Sequence, residues 1–150
     1  MASAEARAME NAAAQQPAPP SFTWPVRVYY EDTDAGGIVY YANYLRFMER
    51  ARSEWLRALG VSHRELRDAN GLQLVVARAD THYRRPAELD DELTVTVKVE
   101  RVRRASLDLR QDVTRGGDEL LCTSRVQVAC MDAANHRPRP FPPSVLRVIQ

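Results

Sequence analysis

The chain has 150 residues, with 21 Lys and Arg against 20 Asp and Glu, so its formal net charge is +1. That length fits one domain rather than two full-sized ones. The balanced charge excludes a general nucleic-acid binder, which draws on a strong basic excess. No apolar run reaches the ~18 residues that a membrane-spanning helix requires, so no membrane insertion is expected. Every basic residue except Lys98 is Arg. The bias reads chiefly as compositional, although Arg also suits bidentate phosphate contacts.

Residues 1–21 hold no aromatic or β-branched side chain and end in Pro17, Pro19 and Pro20. They read as a flexible tail with at most a transient helix over 2–14, lacking the compact apolar stretch of a secretory signal. Residues 22–150 are expected to form the single folded domain. Its first strand is predicted over Thr23–Tyr30, where Trp24, Val26, Val28 and Tyr30 alternate with Pro25, Arg27 and Tyr29. The turn-forming cluster Glu31-Asp32-Thr33-Asp34-Ala35-Gly36-Gly37 must break that strand. From Asn43, a candidate N-cap, to Leu59 the spacing predicts the longest helix, stopped by Gly60. Its apolar stripe is read as Leu45, Met48, Trp55, Leu56 and Leu59, widened by Phe47, Ala51 and Ala58. Ser62-His63-Arg64-Glu65 is a capping-box pattern that opens a second, short helix, and Gly71 closes it.

Beyond Leu72 the period becomes two. Strands are predicted over Leu74–Arg84, Glu92–Arg103, Ser106–Thr114 and Glu119–Met131, with a hairpin turn at Arg115–Asp118 and another turn at Asp132–Asn135. Four prolines keep the end extended until a last helix over Ser144–Ile149, opened by Ser144. Helices segregated from a run of antiparallel strands define an α+β fold, a sheet of five to six strands covering one long helix. Cys122 and Cys130 lie in one predicted strand, about 26 Å apart at the usual rise per residue, so they cannot bond within it. They read as free, buried thiols in a reducing compartment, and the expected location is the cytoplasm. His63, His82 and His136 share no ligand spacing, and no metal site is expected.

The densest chemistry lies between Tyr29 and Tyr44. Glu31, Asp32 and Asp34 immediately precede two glycines and an approaching helix N-terminus. Free amide N–H groups and the positive end of a helix dipole stabilise developing negative charge. A carboxylate beside such an amide can attack a carbonyl, or activate water, while the amide polarises that carbonyl. The same acids could equally serve only as turn and cap formers. Glu49, on the long helix, is expected to pair with Arg46, Arg50 or Arg52. Tyr29, Tyr30, Tyr40, Tyr41 and Tyr44 could line an aromatic pocket or pack in the core.

The run Trp24-Pro-Val-Arg-Val-Tyr-Tyr-Glu-Asp-Thr-Asp-Ala-Gly-Gly37, continued by Ile38-Val-Tyr-Tyr-Ala-Asn-Tyr44, resembles the motif of the 4-hydroxybenzoyl-CoA thioesterase family. It is most similar to the Tol–Pal-associated acyl-CoA thioesterase branch. The likeness extends through Glu49–Arg52, Tyr83–Pro86, Ser106-Leu107 and Pro138–Ser144. It implies a hotdog fold, a curved antiparallel sheet wrapped around one central helix, and hydrolysis of an acyl-CoA thioester without a metal or redox cofactor. On this resemblance Asp34 is the catalytic carboxylate, nucleophile or general base, and the backbone N–H of Tyr41 polarises the carbonyl. Gly37, Ile38 and Val39 would line the substrate, and Arg103, Arg104, Ser106 and Arg139 would meet the nucleotide and phosphates of CoA. The branch commonly carries His where this chain has Tyr41, a residue shared instead with hydroxybenzoyl-type members. The resemblance also implies a homodimer or dimer of dimers with interfacial sites, and acyl carrier protein as a candidate partner. The alternative is a catalytically silent hotdog module that binds acyl groups or an envelope or lipid-synthesis protein.

Overall fold

The computed structural model describes residues 22–150; the predicted tail lies outside them. Strand β1 covers Phe22–Arg27, helix α1 Asn43–Ala58, helix α2 His63–Asn70, β2 Leu72–Tyr83, β3 Glu92–Val102, β4 Ser106–Arg115, β5 Glu119–Asp132 and helix α3 Pro143–Ile149. The five strands form one antiparallel sheet in the order β1-β3-β4-β5-β2. This is the expected α+β arrangement of a curved sheet around a long helix.

Alternation decides which face of the sheet meets α1. Leu93, Val95 and Val97 of β3 and Leu107, Leu109 and Val113 of β4 are buried against it. The intervening residues, among them Lys98, Asp108 and Arg110, turn to the other face. Helix α1 contributes Tyr44, Phe47, Met48, Ala51, Trp55 and Leu56 to the same core. The larger apolar side chains among these, such as Phe47, Met48 and Leu56, each contribute about 1.5–3 kcal/mol relative to exposure. The stripe therefore centres one position earlier than Leu45 implies. Leu45 is exposed, and so is Ala58 at the end of the helix.

Several predicted ends move. Strand β1 stops at Arg27, because Tyr30–Asp32 coil into a 3-10 turn that takes Tyr30 out of the strand. Asn43 is the first residue of α1 rather than its cap; Ala42 holds the cap position without a side-chain bond. The Asn43 Nδ2 donates instead to the Asp32 carbonyl at 2.9 Å. Ser62 does cap α2, accepting from the Glu65 N–H at 3.0 Å. Helix α3 opens at Pro143 with no side-chain cap from Ser144, since proline's fixed φ already suits a first turn. Strand β2 starts at Leu72, two residues earlier than predicted, directly after Gly71 in its left-handed conformation. The hairpin closes on Gly116 and Gly117, both at positive φ. The cysteines are free and buried as expected. Burial pushes the Cys122 thiol up to about 12 and raises that of Cys130 as well.

Candidate active site

The loop between β1 and α1 is built by hydrogen bonds that leave one backbone N–H without an acceptor and one carboxylate without an ion pair among the described residues. The buried Asp32 is structural: its carboxylate accepts from the Tyr29 N–H at 2.8 Å, and its carbonyl accepts from both Tyr40 N–H and Asn43 Nδ2. Glu31 is exposed on the 3-10 turn. Asp34 then opens a tight turn in which its Oδ1 accepts from Gly36 N–H at 2.8 Å and Gly37 N–H donates to its carbonyl at 3.1 Å. Gly37 sits at φ +80°, which L side chains rarely adopt, and a Cβ on Gly36 would come within 3.2 Å of the Asp34 carboxylate. The two glycines thus let the chain reverse around an exposed carboxylate. No Lys, Arg or His among the described residues forms an ion pair with Asp34.

After the turn, Thr33 and Val39 bridge and Asp34 N–H donates to the Ile38 carbonyl, so the loop doubles back on itself. The chain reaches α1 through Tyr40 and Tyr41. The N–H groups of Tyr40 and Asn43 both donate within the loop, but that of Tyr41 donates to nothing among the described residues. A free N–H two residues before a helix, in the same loop as a carboxylate with no ion pair, offers the two kinds of group that acyl transfer uses.

The tyrosines divide. Tyr44 is core, and its ring stands edge-on to those of Phe47 and Tyr83; Tyr83 in turn stands edge-on to Tyr41, with centroids 5.9 Å apart, and Tyr41 to Tyr40. Tyr83, which the sequence alone does not single out for this site, thereby joins the end of β2 to the loop. Tyr29 and Tyr30 are exposed outside this ring cluster.

The residues expected at the CoA end gather at the opposite corner of the sheet. Phe141 N–H donates to the Arg104 carbonyl, Cys130 N–H to that of Ala105, and Arg139 N–H to that of Cys130, so Arg103, Arg104, Ser106 and Arg139 meet beside the β3–β4 turn. Arg103 and Arg139, both partly exposed, are already paired. Arg103 donates to Asp108 at 2.8 Å and holds that carboxyl below its usual range. Arg139 reaches Asp132 at 3.2 Å and the Asn70 carbonyl at 3.3 Å. The Asp32–Tyr41 loop lies at the start of β3, bridged through Ile38 to Glu88. Arg103 follows the end of that strand, roughly 35 Å away along it at the usual rise. Within one chain, the two groups of candidate residues do not meet.

The remaining candidates resolve simply. Glu49 accepts from Ser53 Oγ at 2.9 Å instead of forming an ion pair with Arg46, Arg50 or Arg52. Arg52 turns inward to the buried Gln111 amide, and its pKa is lowered by burial. His63, His82 and His136 stay exposed and apart, and no cluster of metal-ligating side chains occurs among the described residues.

A curved antiparallel sheet wrapped around one long helix is the arrangement of the hotdog thioesterase fold. The Thioesterase-like superfamily model matches residues 28–149, and the chain belongs to that family. It is 42% identical over 125 residues to the acyl-CoA thioester hydrolase YbgC of Escherichia coli O6:H1, covering 83% of this chain and 92% of that protein. It is 44% identical over 124 residues to the acyl-CoA thioesterase YbgC of Haemophilus influenzae, covering 83% and 90%. The crystal structure of a probable thioesterase from Bartonella henselae superposes with a TM-score of 0.76 at 35% identity, over 80% of this chain and 98% of that one.

Proposed function

We infer that this chain is an acyl-CoA thioesterase, hydrolysing an acyl-CoA to the free acid and CoA. The observation that carries the reading is an exposed Asp34 carboxylate with no ion-pair partner among the described residues, in the same loop as the undonated Tyr41 N–H, in a chain related over most of its length to acyl-CoA thioesterases. The thioester carbonyl oxygen takes the Tyr41 N–H, and Gly37, Ile38 and Val39 flank the acyl carbon. Asp34 either attacks that carbon, expelling the CoA thiolate and forming an acyl-enzyme anhydride that water cleaves, or draws a proton from an attacking water. Thiolate is a good leaving group, so a carboxylate suffices. One oxyanion donor of this kind lowers the barrier by about 3–4 kcal/mol. No metal or redox cofactor takes part.

The working unit is two chains. Strand β2 is an edge strand whose residues from Val76 to Tyr83 are largely exposed on both faces, and a long unpaired edge is a template for another strand. Its last residue, Tyr83, lies against Tyr41, while its first, Leu72, follows the Asn70-Gly71 turn that Arg139 grips. Antiparallel pairing of two β2 edges would set the loop of one chain beside the arginine corner of the other. The CoA phosphates then replace Asp108 and Asp132 as partners of Arg103 and Arg139, with Arg104 and Ser106 beside them. An acyl group on acyl carrier protein offers the same thioester, and the cytoplasm and a Tol–Pal-associated role fit the free thiols and the resemblance of the loop. The test is thiol release over a panel of acyl-CoAs, with sedimentation of the same sample. Release by a dimer or tetramer supports the reading; binding without release from any ester supports a silent acyl-binding module instead.

A further inference from the structure

The Asp34 loop does not stand on the sheet directly. Both of its stems rest on the segment from Pro86 to Asp91, which joins β2 to β3. On the entry side, Val28 N–H donates to the Asp91 carbonyl at 2.9 Å and Asp90 N–H to the Val28 carbonyl at 3.0 Å. On the exit side, Val39 N–H donates to the Ala87 carbonyl at 2.9 Å, and Ile38 bridges Glu88. This floor is irregular chain, with Asp90 at φ 69°, so its shape depends on what ties it down. Two side chains from elsewhere do so. The buried Tyr44 hydroxyl, from the first turn of α1, accepts from Ala87 N–H at 2.9 Å. The Arg115 guanidinium, at the end of β4, donates to Asp91 Oδ2 at 2.7 Å and to the Pro86 carbonyl at 3.4 Å, and is itself held by Glu119 at 2.6 Å. The same Asp91 oxygen accepts from Glu88 N–H at 2.8 Å, closing the floor on itself.

We propose that Tyr44 and Arg115 are positioning residues for thioester hydrolysis: they hold segment 86–91 and, through it, the spacing between the Asp34 carboxylate and the Tyr41 N–H. Tyr44 is three residues beyond Tyr41, so its hydroxyl ties the start of α1 to Ala87, the residue whose carbonyl accepts from Val39 N–H of the loop. Arg115 fixes the far end of that floor, next to the entry stem. Neither residue is assigned a contact with substrate. The effect belongs on the chemical step, because a displacement of about 1 Å between reacting groups can cost 10²-fold in rate while leaving remote binding intact.

The proposal rests on the Asp34–Tyr41 reading, and the experiment separates the two. Tyr44→Phe keeps the ring against Phe47 and Tyr83 and removes only the acceptor. Well below its melting temperature, kcat should fall about tenfold with KM within about twofold. Arg115→Gln should lower kcat similarly, and Arg115→Lys, which keeps one charged donor for Asp91, should recover part of the loss. If Arg115→Gln fails to fold, Tyr44→Phe and Arg115→Lys carry the test. A kcat within about twofold of wild type for Tyr44→Phe, or a loss confined to KM, overturns the positioning role while Asp34→Asn remains inactive. Full turnover by Asp34→Asn overturns the underlying reading and the proposal with it.

Discussion

The two ends of the sheet treat charge in opposite ways. At the loop end, the Asp34 carboxyl group accepts from one backbone N–H and from no cationic side chain among the described residues, and the Tyr41 N–H of the same loop is idle. At the far corner, Arg103 and Arg139 are each satisfied by a carboxylate, Asp108 and Asp132. A reacting group must be left unmatched until substrate arrives, since a committed ion pair would lower its basicity. A group that only binds phosphate can be held ready by a replaceable partner, and partial exposure makes the exchange inexpensive. The contrast separates candidate chemistry from candidate binding along one strand, and the proposed function calls on a second chain to bring them together.

Among variants outside the Asp34 loop, breaking the association should have the largest effect. Lysines at Val76 and Ala79 on the β2 edge (Val76→Lys with Ala79→Lys) oppose strand pairing. The expected result is a monomer by sedimentation with kcat/KM lowered about 100-fold. A fully active monomer would mean that the site is complete in one chain. Next, the double variant Arg103→Ala with Arg139→Ala should raise KM for the CoA ester about tenfold while kcat changes less than about threefold. An unchanged KM removes both arginines from substrate binding. The same corner makes a pH prediction. Asp108 and Asp132 have depressed folded pKa values, the first through Arg103, the second chiefly through the N–H groups of Asn135 and Ala134. Their stabilisation is therefore present above the unfolded carboxylate value, near 3.9, and is lost as pH falls through the lower folded values. Thermal melts of wild type and Asp132→Asn should differ at neutral pH and converge below about pH 4; a constant difference contradicts the assignment. The smallest effect is expected of Tyr41→Phe, whose kcat should stay within about threefold because the donor is the backbone.

Much of this was legible in the sequence, for identifiable reasons. Strands with strict alternation, such as Glu92 onward, were readable because burial on one face imposes a period of two. The Asp34 turn was readable because Gly36 and Gly37 serve backbone geometry that few other residues permit. The end of β1 was misread because the alternation through Tyr30 is apolar in pattern, while Asp32 pulls the chain into a 3-10 turn by accepting from Tyr29 N–H. The α1 stripe was misplaced because Leu45 is more apolar than Tyr44, yet Tyr44 has a hydroxyl acceptor to satisfy inside. Arg115 looked like a turn residue, since its partner Asp91 lies 24 positions away and only the fold unites them. The separation of the two candidate clusters was likewise invisible, being a property of strand order rather than of any local motif.

The most direct test sets wild type beside Asp34→Asn in a thiol-release assay over aliphatic and aromatic acyl-CoAs, with circular dichroism and a thermal melt on both. The account predicts measurable release by wild type and a loss of about 10³-fold or more in kcat for the variant, with the fold and melting temperature retained. Near-wild-type release by a folded Asp34→Asn would contradict it.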